Sequence, residues 1–322
     1  MTEIYGTLGP SCADEKTLCA MLDMGMTGIR LNLSHSDLPS SAGVIASLHN
    51  AERTTGRHCD LLIDMQGPEL RIGKLPGPMQ LREGSTVLLG EDGIPVPELV
   101  RPFLMPGQQV LLDDGRICLE AVSGDTARVL RGGVLTSRKS IALPGAELYP
   151  PTMTESDREN IRLAPSYGVT GVMQSFVRSR EDLETVRRAL NEAGGEHIRL
   201  FAKIENMSGV ENLRALLPAA DVIVIARGDL GNAMPLWELP RVQKRIARLC
   251  REAGKPFMVV TQMLSSMEHS PVPTRAEVSD IFNAVLDGAS SVMVTGETAV
   301  GDYPAEVIRY LRNTAQYAAD FD

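Results

Sequence analysis

The sequence predicts an α/β protein, a (β/α)8 TIM barrel with a small all-β lid domain inserted after strand three. Three observations carry this. Eight short apolar runs rich in β-branched residues recur along the chain, at residues 4–8, 28–33, 60–64, 171–175, 198–204, 221–226, 257–261 and 291–295. Amphipathic stretches lie between them, among them 14–24, 181–193, 236–252 and 274–286, and such strand–helix alternation implies a parallel sheet. The spacing between runs is about 23 to 35 residues, except between the third and fourth, where it is about 111. Removing the anomalous stretch leaves about 250 residues, the usual size of an eightfold barrel.

The elements follow in order. Residues 1–70 hold the first three strands, and the intervening helical pattern is closed by Gly25. Residues 71–142 lack a helical period and show short alternating pieces (86–89, 109–112, 116–121, 127–131) punctuated by Gly and Pro, the pattern of an all-β insert. Residues 143–322 carry five further strands, with Gly194, Gly254 and Gly288 closing their helices.

Composition narrows the function. The chain has 322 residues, with 41 acidic against 32 basic side chains and a net charge of −9. That balance argues against a nucleic-acid or anionic-membrane partner and leaves small anions open. The longest apolar run, residues 222–226, is far short of the roughly 20 residues a membrane-spanning helix needs. The start of the chain has an acidic third residue and no apolar leader, and the five cysteines are scattered without a CxxC pair. A cytoplasmic setting is expected.

In a barrel of this kind the chemistry lies at the C-terminal strand ends, and those ends are polar here. Lys203 and Glu205, two residues apart in an extended segment, share a face about 7 Å apart. They form either a plain ion pair at the rim or, with Asp229 from the next strand end, a site where Glu205 and Asp229 hold a hard divalent cation. Arg227-Gly228-Asp229-Leu230-Gly231 is either a tight turn or a place for a substrate carboxylate or phosphate. Arg30, Asn32 and Ser34 alternate with Leu31 and Leu33, giving a hydrogen-bonded polar layer or, with Asp64, an oxygen cage for a monovalent cation. His35 is a loop residue or a ligand contact, the methionines are core filler, and Trp237 is a buried or interface aromatic.

These strand ends resemble the pyruvate kinase family across nearly the whole chain. The matching stretches include Thr7-Leu8-Gly9-Pro10-Ser11, Arg30-Leu31-Asn32-Leu33-Ser34-His35, Asp64-Met65-Gln66-Gly67-Pro68-Glu69, Ala202-Lys203-Ile204-Glu205-Asn206, Ala226-Arg227-Gly228-Asp229-Leu230-Gly231, Thr261-Gln262-Met263-Leu264 and Thr295-Gly296-Glu297-Thr298. The resemblance implies a glycolytic phosphotransferase that converts phosphoenolpyruvate and ADP to pyruvate and ATP through an enolate. It implies Lys203 at the transferring phosphoryl group, with Arg30 also catalytic, and Thr261 for protonation, with Thr295 and Glu297 on the same side. Phosphoenolpyruvate is expected against Arg30, Lys203, Gly228, Asp229 and Thr261, and Mg2+ (or Mn2+) on Glu205 and Asp229. K+ is expected on Asn32, Ser34, Asp64 and the carbonyl of Met65, with Glu69 accompanying K+ dependence. Arg30, His35, Arg71 and Lys139, with Asp113, fall where the family contacts nucleotide or phosphates. Pro273-Thr274-Arg275-Ala276-Glu277 matches a segment near subunit contacts, so a homo-oligomer is expected.

The chain also departs from the family pattern. It stops just after the eighth helix, where family members usually continue into a further C-terminal domain, and its lid is short. Met65-Gln66, Ser140 and Asn232-Ala233-Met234-Pro235 depart from the usual residues. These departures motivate a second reading, a divalent-metal pyruvate-enolate lyase or aldolase or an enzyme with another phosphoryl acceptor, and a third, a non-catalytic phosphoenolpyruvate-binding protein.

Overall fold

A computed structural model of the chain describes residues 2–34, 36–113, 115–146, 148 and 150–321. The chain starts with barrel strands β1 (Glu3–Thr7), β2 (Gly28–Asn32) and β3 (Asp60–Asp64). The next seven strands belong to the insertion: β4 (Met79–Leu81), β5 (Thr86–Leu88), β6 (Gln109–Leu112), β7 (Ile117–Ser123), β8 (Thr126–Arg131), β9 (Gly133–Leu135) and β10 (Ile141–Ala142). The barrel resumes with β11 (Gly171–Gln174), β12 (Arg199–Ile204), β13 (Val222–Ala226), β14 (Phe257–Val260) and β15 (Ser291–Met293). Its strands pair in parallel in the order β1-β15-β14-β13-β12-β11-β3-β2, closing on themselves. All eight expected runs are strands, and each ends at or slightly before its expected limit. At β14 the reason is local: Thr261 has φ +80°, which no extended strand accommodates.

Alternation along the strands divides the apolar residues between two cores. Tyr5, Leu62, Met173, Phe201, Val224, Met258 and Met293 form one buried cluster, the barrel lumen. Ile29, Leu61, Ile63, Val172, Leu200 and Ile223 lie in another, shared with helix residues such as Leu183, Val186 and Leu190. Two glycines make room for the rings in the lumen. A Cβ at Gly28 would stand 2.1 Å from Tyr5 Cε1, and one at Gly171 would stand 2.7 Å from Phe201 Cε2 and 2.5 Å from Leu62 Cδ2. Burying a ring such as Phe201 removes roughly 150–250 Å2 from water, worth at most about 4–6 kcal/mol.

The helices begin where side chains cap them. Thr154, Ser179 and Thr274 each form a reciprocal capping box with the carboxylate three residues on, Asp157, Asp182 and Glu277. The helix expected over 236–252 starts instead at Leu239, because Pro240 occupies its first turn and Leu236–Glu238 forms a separate 3-10 turn. Trp237 on that turn is 82% exposed, so the reading of a buried aromatic is corrected for this chain.

The N-terminal mouth of the barrel is closed by charge. Tyr5 Oη lies 3.0 Å from both Glu3 Oε2 and Asp60 Oδ2, Arg199 Nη2 donates to Tyr5 Oη at 3.0 Å, and the same guanidinium pairs with Asp60 and stacks over the Phe201 ring at 5.2 Å. Burial, with Glu3 and Asp60 beside it, raises the Tyr5 phenol far above its ordinary pKa.

The chain divides into two compact units, residues 68–151 and the barrel formed by the rest. The insertion was expected over 71–142. The unit is longer because Arg71 bridges Ser140, Ile141 N donates to Leu70 O, and Leu70, Leu143, Ala146 and Leu148 pack onto its own core of Val110, Leu119 and Val129. That unit contains a five-stranded antiparallel sheet, order β10-β6-β7-β8-β5, and the pair β4-β9.

Candidate active site

The C-terminal mouth gathers charge differently. Asp64 ends β3, in register with Asn32 of β2 and Met173 of β11, and is 2% exposed. Arg30 Nε and Nη2 each reach Asp64 Oδ2 at 2.7 Å. Lys203 Nζ stands 3.2 Å from both Asp64 oxygens, 2.9 Å from Glu205 Oε1 and 3.0 Å from Ser175 Oγ. The predicted Lys203–Glu205 face is therefore real, and it is an ion pair. Glu205 is also anchored from behind, since Phe176 N donates to its Oε2 at 2.8 Å.

These contacts set the protonation states. Burial opposes the Asp64 carboxylate, but Lys203 and then Arg30 outweigh it and hold its pKa below the ordinary value. Burial likewise opposes the Lys203 ammonium, and Asp64 and Glu205 outweigh it to hold the proton. At Glu205 burial wins: together with the charges of Asp229 and Asp64 it overcomes Lys203 and pushes the carboxyl up to about 7. The Asp64, Lys203 and Glu205 side chains are only 2, 12 and 2% exposed, so solvent screens their charges little. Among the described residues no three His, Cys, Asp or Glu side chains group to hold an ion by themselves. Two carboxylates completed by substrate oxygens and water is the usual Mg2+ arrangement.

The loops carry strain. Phe176, Thr261 and Gln262 have φ of +53°, +80° and +55° at the ends of β11 and β14. A β-branched residue such as Thr261 at positive φ costs about 1–3 kcal/mol and persists only where its surroundings impose it. Across from it, the short helix Arg227–Asn232 follows β13 directly, and a Cβ at Gly228 would stand 3.3 Å from Thr261 Cγ2. Glu297, 1% exposed, accepts from Leu264 N at 3.1 Å and Thr295 N at 2.7 Å, so it braces two of these loops.

The remaining candidates sort by unit. Asn32 Oδ1 accepts from Ser34 N at 3.1 Å, and Met65 O accepts from Ser175 Oγ at 2.9 Å, so both lie around the Asp64 cluster. Arg71 and Lys139 belong to the other unit, where Arg71 pairs with Glu69 at 2.7 Å and Lys139 with Asp113 at 2.6 Å. His35 lies outside the described residues. Sequence reasoning assigned no role to Ser175, which bridges Lys203, Asp64 and Met65, nor to the side chain of Arg227. Ser175 could have been found by parity, because it continues the inward face of Gly171 and Met173.

Comparison with known proteins gives the site its context. Residues 1–308 match the family model described as pyruvate kinase, barrel domain. The chain is 38% identical over 329 residues to a pyruvate kinase of Geobacillus stearothermophilus, covering 98% of this chain and 56% of that protein. It is 36% identical to one from Clostridium acetobutylicum, covering 98% of this chain and 70% of the relative, and 39% identical to one from Mycobacterium intracellulare, covering 95% and 68%. The chain therefore spans little more than half to about two thirds of the length of these relatives. A match running through both units, on a closed parallel barrel with Lys203 paired to Glu205 at its C-terminal mouth, places this chain in the pyruvate kinase family.

Proposed function

We propose that the barrel mouth transfers the phosphoryl group of phosphoenolpyruvate to ADP, giving pyruvate and ATP. The observation that carries this is the Lys203 ammonium fixed between Asp64, Ser175 and Glu205, with Asp229 close enough to act on Glu205. A cation held this rigidly meets the equatorial phosphoryl oxygens as charge spreads over them, and needs no reorganisation to do so. Arg30, which shares the Asp64 carboxylate with Lys203, is the second cation for the same group.

Glu205 and Asp229 fit a divalent cation, Mg2+ or Mn2+, because added positive charge relieves the carboxylate that burial pushes up. When bound, the ion supplies Lewis-acid stabilisation of negative charge on substrate oxygens. The protein's own groups do the rest. Backbone amides at Gly228 and Asp229 take the substrate carboxylate, and the Thr261 hydroxyl orients the proton, drawn from solvent, that reaches the methylene carbon of the enolate. Asn32 Oδ1 and the Met65 carbonyl each accept one hydrogen bond and keep a second lone pair, which with Ser34 and Asp64 suits K+. Arg71, Lys139 and His35 are assigned to nucleotide phosphates by resemblance alone.

The test is ATP formation by the purified chain from phosphoenolpyruvate across a panel of nucleoside diphosphates, with Mg2+ and with or without K+. Turnover abolished in Lys203→Ala is expected; no turnover by folded wild type with both ions overturns the reading. The same reading takes the chain as a cytoplasmic homo-oligomer with a subunit contact near Thr274. Its described cysteines are all free, and among the described residues no helix is long and apolar enough to cross a membrane. Sedimentation as monomer only at micromolar concentration would overturn the oligomer.

A further inference from the structure

We propose that Arg227 and Asp280 are a positioning pair that holds the Thr261 hydroxyl in its working place. Thr261 and Gln262 form a turn in the left-handed region, and nothing in their own chemistry favours it. One guanidinium holds that turn. Arg227 Nε and Nη2 donate to Thr261 O at 3.0 and 2.7 Å, Nη2 also donates to Gln262 O at 3.2 Å, and Nη2 lies 3.0 Å from Met263 Sδ. Its remaining arm, Nη1, is gripped by both oxygens of Asp280 at 2.9 and 2.7 Å, from the helix Arg275–Leu286. The Arg227 side chain is 11% exposed and that of Asp280 34%.

The direction of the hydrogen bonds makes this more than an ion pair. Two consecutive carbonyls of the strained turn accept from one planar fork, an arrangement an ammonium cannot reproduce. Arg227 also begins the short helix whose next residue, Gly228, faces Thr261 Cγ2. One residue thus joins the segment expected to hold the substrate carboxylate to the turn expected to present the proton. Asp280 reaches that segment through the Arg227 side chain and acts by orienting it.

The inference rests on the proposed function for what Thr261 does, not for how it is held, so two measurements are needed. In steady-state assays with phosphoenolpyruvate and ADP, Arg227→Met is expected to lower kcat about 10- to 100-fold, and Asp280→Asn about 3- to 10-fold, with KM for phosphoenolpyruvate within about threefold. The solvent deuterium isotope effect on kcat should rise in both, because proton delivery becomes slower relative to phosphoryl transfer. Arg227→Lys should not restore kcat. Unchanged kcat, or a loss of kcat with no change in the isotope effect, overturns the proposal. Crystal structures of Arg227→Met and Asp280→Asn decide it whether or not the protein turns over phosphoenolpyruvate. Thr261 and Gln262 leaving positive φ in Arg227→Met supports it, and a turn unchanged in both variants overturns it. Inactive wild type with a turn that does respond to the variants counts against the proposed function and not against the pair.

Discussion

The two mouths of the barrel are both lined by clustered charge, part-exposed at one end and buried at the other. At the N-terminal end Glu3, Tyr5, Asp60 and Arg199 satisfy one another, and the guanidinium also covers the Phe201 ring. At the C-terminal end Asp64 is saturated by Arg30, Lys203 and Ser175, while Glu205, beside Asp229, is pushed up to about 7. Solvent screens a part-exposed cluster, whereas charges buried at 2 to 12% exposure are screened little and respond strongly to a charged ligand. The same strands run through both ends, so the difference lies in a few inward positions.

The largest expected effect breaks the C-terminal cluster. Lys203→Met should lower turnover of phosphoenolpyruvate and ADP by about 10³-fold or more, while circular dichroism shows the fold retained. Next is the packing beneath the N-terminal mouth. Gly28→Ala forces a methyl into the Tyr5 ring and should lower unfolding free energy by about 1–3 kcal/mol in denaturant melts. Arg199→Met sharpens the contrast between the ends. It should cost about 1–3 kcal/mol of stability and leave kcat within about twofold of wild type, because its partners Glu3 and Asp60 lie at the N-terminal strand ends. A large kcat loss there would mean that the two ends are coupled.

The smallest effect belongs to neither mouth. Asp182 caps the helix Arg180–Glu192; burial opposes its charge, but hydrogen bonds from Arg178 and Thr152 hold its pKa below the ordinary value. A depressed folded pKa adds stability that is full above the unfolded carboxyl value, about 4, and is lost as pH falls through the folded pKa. Asp182→Asn should therefore cost about 1 kcal/mol near neutral pH and less below pH 4, read from thermal melts across pH.

Much of this was legible in the sequence because it is local. Short apolar runs rich in β-branched residues predict all eight barrel strands, and Gly194, Gly254 and Gly288 mark the ends of three helices. The polar strand ends pointed to Arg30, Asp64, Lys203 and Glu205. The expected bounds 71–142 are narrower than the compact unit 68–151 because its outer residues join it by the Ile141 N to Leu70 O hydrogen bond and by packing of Leu70, Leu143, Ala146 and Leu148, neither of which has a periodic signature. The start of the helix after Trp237 was misplaced because a 3-10 turn carries the same apolar spacing over three residues.

The sequence by itself determined where the barrel strands run and which strand ends are polar, since each is a property of one short stretch of chain. It could not determine who meets whom. Ser175 reaches Asp64, and Arg227 reaches both Thr261 and Asp280, across separations of 34 to 111 residues. Barrel closure and its register decide those meetings, because only the closed sheet brings the ends of separate strands within hydrogen-bond distance. The left-handed turn at Thr261 is tertiary for the same reason. A threonine has no intrinsic preference for it, and the guanidinium and helix that grip it come from elsewhere in the chain.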